Sequence, residues 1–124
     1  MSKLLKITFL AHAIVAFVCG APLLLAPGRF LGLFNWAPID PVLARILGAA
    51  LLGLAWSSLR GYQQASFEKV ALLVETEAVF CTAAVVGMLR QMAGARWPFI
   101  IWLILAVLII FAILWLINGV RKRT

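Results

Sequence analysis

The chain has 124 residues, of which 65% are hydrophobic and 12% charged, and its formal net charge is +7. Soluble domains are nearer half apolar and a quarter charged, and a soluble fold of this length has too little interior to hide so much apolar surface, which excludes an ordinary water-soluble globule. The mean hydropathy of +1.11 points to lipid as the solvent for much of the surface, and the basic residues sit at the ends of apolar segments rather than in a patch, which excludes nucleic acid as a partner.

A first span is predicted over about residues 4–26. Lys3 and Lys6 precede it as they would in a signal peptide, but Cys19-Gly20-Ala21 is followed by Pro22, a poor cleavage context, so the segment reads as a retained span. Counting threes and fours from Leu5 gathers Thr8, Phe9, His12, Ala16 and Cys19 on one stripe. That face is smaller and more polar than the side carrying Leu10, Ile14 and Phe17, and it is expected to face protein. Pro22 loosens the last turn, and Pro27-Gly28 stops the helix.

Residues 28–36 are too short to cross a bilayer, and their apolar and aromatic content predicts an interfacial or partly re-entrant turn of helix. In Pro38-Ile39-Asp40-Pro41, Asp40 is expected to cap a helix and Pro41 to take its first position. The second span is predicted over about residues 41–59. Along it Ala49, Gly53, Ser57 and Gly61 recur every fourth residue, with Ala44 and Gly48 as a second small pair beside them. Small residues at this spacing let two backbones approach closely, so this helix is expected to be central to the packing.

Arg60 to Phe67 reads as a polar connection, with Ser66 the expected cap of a third span over about residues 68–90. A short hairpin over 90–96 contains Gly94, and the fourth span is predicted over about residues 97–118, opened by Pro98 and ended by Gly119. Its bulky residues on all sides suit a helix with much of its surface on lipid, with Trp97 and Trp115 as interfacial anchors. The fold class expected is therefore all-α: an integral membrane four-helix bundle in one domain, with a short interfacial helix between spans 1 and 2.

Lys3, Lys6, Arg60, Lys69, Arg121, Lys122 and Arg123 fall on one side of such a bundle, and Arg29, Arg45, Arg90 and Arg96 on the other. The excess of basic residues predicts both termini in the cytoplasm, and the basic tail suits anionic headgroups.

The third span carries Glu75 and Glu77 about 10–14 Å from its cytoplasmic end, His12 lies about 12 Å in on span 1, and Arg45 about 6 Å in from the other side, at ~1.5 Å per residue. An ionised carboxylate facing lipid costs about 2.5–3.5 kcal/mol on insertion scales, so a partner or a proton must offset it. His12, Glu75 and Arg45 are expected to form one network. Two residues apart on a helix, Glu75 and Glu77 point nearly opposite ways. Glu75 shares a small-residue face with Ala71, Ala78 and Thr82 and is expected inside; Glu77, on the face of Leu73, Val74, Phe80 and Cys81, is expected to meet another subunit or a lateral groove.

Structural pairing is the competing reading of these carboxylates, and a snorkelling headgroup contact that of Arg45. His12 is expected as a hydrogen-bonded packing residue rather than a metal or haem ligand. Cys19 and Cys81 come out at similar depth, which makes a bridge geometrically conceivable, but buried thiols commonly act as small hydrophobes. They form neither a C-x-x-C pair nor a metal spacing, so no metal and no cofactor is expected.

Ala26-Pro27-Gly28-Arg29-Phe30-Leu31, followed by Asp40-Pro41-Val42-Leu43-Ala44-Arg45-Ile46-Leu47-Gly48-Ala49, resembles the loop and second helix of DoxX-like small four-helix membrane proteins of prokaryotes. The likeness covers the first half of the chain. It implies a four-span bundle in a prokaryotic cytoplasmic membrane and little about activity; some relatives are associated with quinone-linked redox complexes, but no redox motif or close cysteine pair carries that over.

Three functions compete. A binding or accessory protein that forms homo-oligomers or joins a larger complex fits the small size, the lack of a sizeable soluble loop and the small-residue stripe. A proton-coupled carrier of a small molecule, working as a homodimer, fits the carboxylates at Glu75 and Glu77. A lipid- or quinone-linked enzyme fits least, because no nucleophile–base pair is visible.

Overall fold

Ser2 starts the first helix by accepting a hydrogen bond from the Leu5 N–H, and α1 runs over Lys3–Leu25. In this computed structural model, which describes residues 1–36 and 39–123, four more helices follow: α2 over Pro27–Gly32, α3 over Pro41–Tyr62, α4 over Ala71–Met92 and α5 over Phe99–Arg123. Four of the five, α1, α3, α4 and α5, are long and apolar enough to cross a membrane.

The connections follow their turn chemistry. After α1, Ala26 N–H returns to Pro22 O, and Pro27 sits at the start of α2, where a missing N–H is harmless. Asn35 ends the segment at φ 53°, a left-handed conformation that asparagine tolerates. Asp40 caps α3 as expected, accepting from the N–H groups of Val42 and Leu43; Pro38, ahead of it, lies outside the described residues, as do the side chains of Lys122 and Arg123. Gly94, at φ 77°, supplies the tight turn of the α4–α5 hairpin.

Two boundaries and one anchor differ from expectation. α4 begins at Ala71, after a turn that includes Glu68 and Lys69, and Val70 rather than Ser66 occupies its cap position, without a side-chain cap. Gly119 does not end α5, which continues to Arg123; a glycine weakens a helix by only about 1 kcal/mol and is no stop by itself. Trp115 is no interfacial anchor: it is fully buried, with its ring edge against Phe9.

The helices associate as two close pairs, α1 with α3 and α4 with α5; α1 also touches α5, and α3 approaches α4 briefly. On α1 the buried stripe is Leu5, Thr8, Phe9, His12, Ala13 and Ala16, with Leu10, Ile14 and Phe17 exposed, in the phase read from the sequence. α1 crosses α3 where Gly20 meets Gly48. A Cβ on Gly48 would stand 2.5 Å from Leu24 N and 2.8 Å from Gly20 O, so the backbones touch. Of the small residues on α3, Ala44, Gly48, Ala55, Ser58 and Gly61 are buried, whereas Ala49 is exposed and Gly53 has open space beside it. The second small pair makes the close crossing; of the row Ala49, Gly53, Ser57 and Gly61, only Gly61 is buried, against the ring of Phe9.

At the end holding the N-terminus, Leu5, Phe9, Val70, Val74, Ala78, Cys81, Phe111, Ala112 and Trp115 form one core joining α1, α4 and α5, and the Met1 ammonium donates to Ala65 O. At the other end the core is split. Leu23, Leu31 and Ala44 form one cluster; Met92, Ile101 and Leu105 form another; Trp36 packs against both.

Candidate functional site

Each long helix sends a side chain to one point in the interior. α1 supplies His12 from its buried stripe, α3 supplies Ser58, α4 supplies Glu77 and Cys81 one turn apart, and α5 supplies Phe111 and Trp115, also one turn apart. Glu77 is 1% exposed and Ser58 fully buried.

His12 Nδ1 and Ser58 Oγ are 2.8 Å apart. The Ser58 hydroxyl donates to Glu77 Oε1 at 3.3 Å, and His12 Nε2 lies 3.5 Å from Glu77 Oε2. Phe111 and Trp115 hold the imidazole edge-on, with ring centroids at 4.9 and 5.6 Å and interplanar angles of 83° and 79°. Glu77 Oε2 is buried without a hydrogen-bond partner among the described residues. Beside it, His12, Glu77 and Cys81 each bring one donor atom within 4.8 Å of the other two, and all three residues are buried.

Counting hydrogens gives the cluster its chemical character. Three polar contacts close the His12–Ser58–Glu77 ring. A serine brings one hydrogen, a neutral imidazole brings one, and a carboxylate brings none. If Ser58 donates to Glu77, then Nδ1–H donates to Ser58, and Nε2 presents a lone pair to the lone pairs of Oε2. Two acceptors facing each other in a dry site repel unless a cation lies between them. With an ionised Glu77 and a neutral His12, the ring is one positive charge short, which a proton on either group or a bound cation supplies.

The positions singled out in the sequence separate. His12 and Glu77 meet. Glu75 is exposed and lies off the cluster, so the inward and outward assignments of the two carboxylates are reversed. The inner face of α4 is set by Val74, Glu77, Ala78 and Cys81, and Ala71 is only half-buried. Arg45 is exposed and donates to the carbonyls of Leu24 and Leu25, the last two residues of α1, so it caps a neighbouring helix instead of reaching Glu77. Cys19 and Cys81 are both free. Sequence reasoning does not single out Ser58, Cys81, Phe111 or Trp115 as site residues. Ser58 continues the Ala44–Gly48–Ala55 phase, and Trp115 follows Phe111 by four, which are the available signals.

Comparison of the chain with protein-family models, with curated proteins and with solved structures gives no match.

Proposed function

We propose that this is a small integral membrane binding protein, a four-helix bundle whose interior His12–Ser58–Glu77 ring holds a cation. The observation that carries this reading is the uncompensated Glu77 Oε2, buried 3.5 Å from the Nε2 of His12. Buried ionisable groups inside a membrane bundle are costly and mark ligand or ion sites by default. Four helices of spanning length and apolarity support the membrane assignment. The basic excess at the end holding the N-terminus supports cytoplasmic termini, and the likeness of residues 26–49 to DoxX-like proteins supports a prokaryotic cytoplasmic membrane.

A second reading, self-association, is favoured by one observation: Ala49 and Gly53 leave an uncovered small-residue face on α3, of the kind that lets another helix approach. The accessory role and the cation site are compatible within one protein.

The test is thermal unfolding of the purified protein in detergent with a panel of cations. A ligand that binds only the folded state raises stability by mass action, by about 2.7 kcal/mol at one hundred times its Kd. At least one cation stabilises the wild type and leaves Glu77→Gln unchanged. No stabilisation by any cation overturns the reading.

A further inference from the structure

We propose that His12 Nε2, a Glu77 carboxylate oxygen and Cys81 Sγ form a three-ligand site for a divalent transition metal of the zinc class, an inference that rests on the cation reading above.

Three observations converge on the donor set. The three donor atoms lie within 4.8 Å of one another on buried residues. Ideal tetrahedral zinc requires a nitrogen–oxygen separation of about 3.4 Å and nitrogen–sulfur and oxygen–sulfur separations of about 3.6 Å, from its usual bond lengths. The Nε2–Oε2 pair already stands at 3.5 Å, and the sulfur is carried by the next turn of α4. The third observation is Glu77 Oε2, a buried acceptor without a hydrogen-bond partner.

The surroundings are those of a metal ligand set. A metal-bound histidine characteristically donates its other ring nitrogen to an acceptor that fixes the tautomer, and here Nδ1 meets Ser58 Oγ at 2.8 Å. Ser58 in turn donates to the second carboxylate oxygen, Oε1. One hydroxyl thus orients two ligands and leaves Nε2 and Oε2 turned toward the same point.

Donor softness and charge select the ion. Imidazole and thiolate suit zinc-class metals, whereas calcium, magnesium and the alkali ions prefer all-oxygen sets. On binding, the Cys81 S–H bond breaks, its proton leaves to solvent and a sulfur–metal bond forms. One divalent ion, one carboxylate and one thiolate sum to zero, whereas a monovalent ion would leave a net negative charge in a low-dielectric interior. Three protein ligands leave the fourth tetrahedral position open to water or to a second molecule.

The experiment uses the full chain purified in detergent, stripped with a chelator and titrated with Zn²⁺ and with Co²⁺ as a spectroscopic probe. The expected result is one metal ion per chain, with a thiolate-to-cobalt charge-transfer band and the visible bands of tetrahedral cobalt. His12→Ala, Glu77→Gln and Cys81→Ser each weaken binding at least tenfold. The charge-transfer band disappears in Cys81→Ser and persists in Cys19→Ser. Cys81→His, which restores a ligand, recovers binding without the band and shows that loss in Cys81→Ser is not loss of fold. Uptake that is equal in wild type and Cys81→Ser, or a site that takes only alkali or alkaline-earth ions and is lost in Glu77→Gln, overturns the metal assignment while the cation reading stands. No uptake of any ion overturns both.

Discussion

His12 and Glu77 meet across a space that their own helices do not close: Nε2 and Oε2 stand 3.5 Å apart, while α1 and α4 meet through side chains rather than by close backbone approach. Ser58, from α3, touches the remaining polar atom of each. The polar ring therefore ties the α1–α3 pair to the α4–α5 pair. Its energetics differ from those of an ordinary surface ion pair, because removing one member strands the others in a dry interior.

His12→Leu and Glu77→Leu are each expected to destabilise the protein by about 1–3 kcal/mol, the usual cost of leaving buried hydrogen-bonding groups without their partner. Replacing His12, Ser58 and Glu77 together with Leu, Ala and Leu should cost much less than the sum, because no buried polar group is left unpaired. Denaturant unfolding in detergent measures both, and additive losses would contradict the coupling.

Gly48→Ala is expected to destabilise by about 1–3 kcal/mol, because the new Cβ meets the α1 backbone, which cannot yield as a flexible side chain can. Gly53→Ala, with open space beside it, is expected to be neutral or to stabilise by up to about 1 kcal/mol through helix propensity. The same unfolding assay compares the two, and equal effects would contradict the placement of the crossing.

Arg45→Met removes the donor that satisfies the Leu24 and Leu25 carbonyls. The group is exposed, so the expected loss is small, about 1 kcal/mol. Cation-dependent stabilisation should be unaffected, and its disappearance would return Arg45 to the interior site.

Trp115→Ala is expected to cost about 3–5 kcal/mol, as large-to-small core changes do. Trp102→Ala, on an exposed face of the same helix, should change stability by no more than about 0.5 kcal/mol. Fluorescence-monitored unfolding of the two variants tests the assignment of α5 faces.

The helices were legible because apolar length is a long-range average that no single residue can upset. The α1 face was legible too, because Thr8 and His12 fall in phase with Leu5, Phe9 and Ala16. The orientation of α4 was not. Glu75 and Glu77 lie on faces of similar apolar content, and choosing by small residues put Glu75 inside. What decides the matter is polar complementarity: Glu77 alone finds His12 and Ser58, and those partners lie 65 and 19 positions away in the chain. The partner of Arg45 is illegible in the sequence for a related reason. Its depth could be counted, but the nearest unsatisfied carbonyls belong to the end of α1, visible only once that helix is placed. Of the three cysteine, histidine and glutamate donors now adjacent, spacing along the chain reveals only Glu77 and Cys81, one turn apart.

Among the described residues, Trp36 is the single side chain packed against both of the apolar clusters at the end away from the N-terminus. At the opposite end many residues share that duty. The two helix pairs are thus joined by a whole apolar core at one end, whereas at the other the bridge between their apolar clusters is one indole, so a substitution of Trp36 loosens that end while leaving the core at the N-terminal end in place.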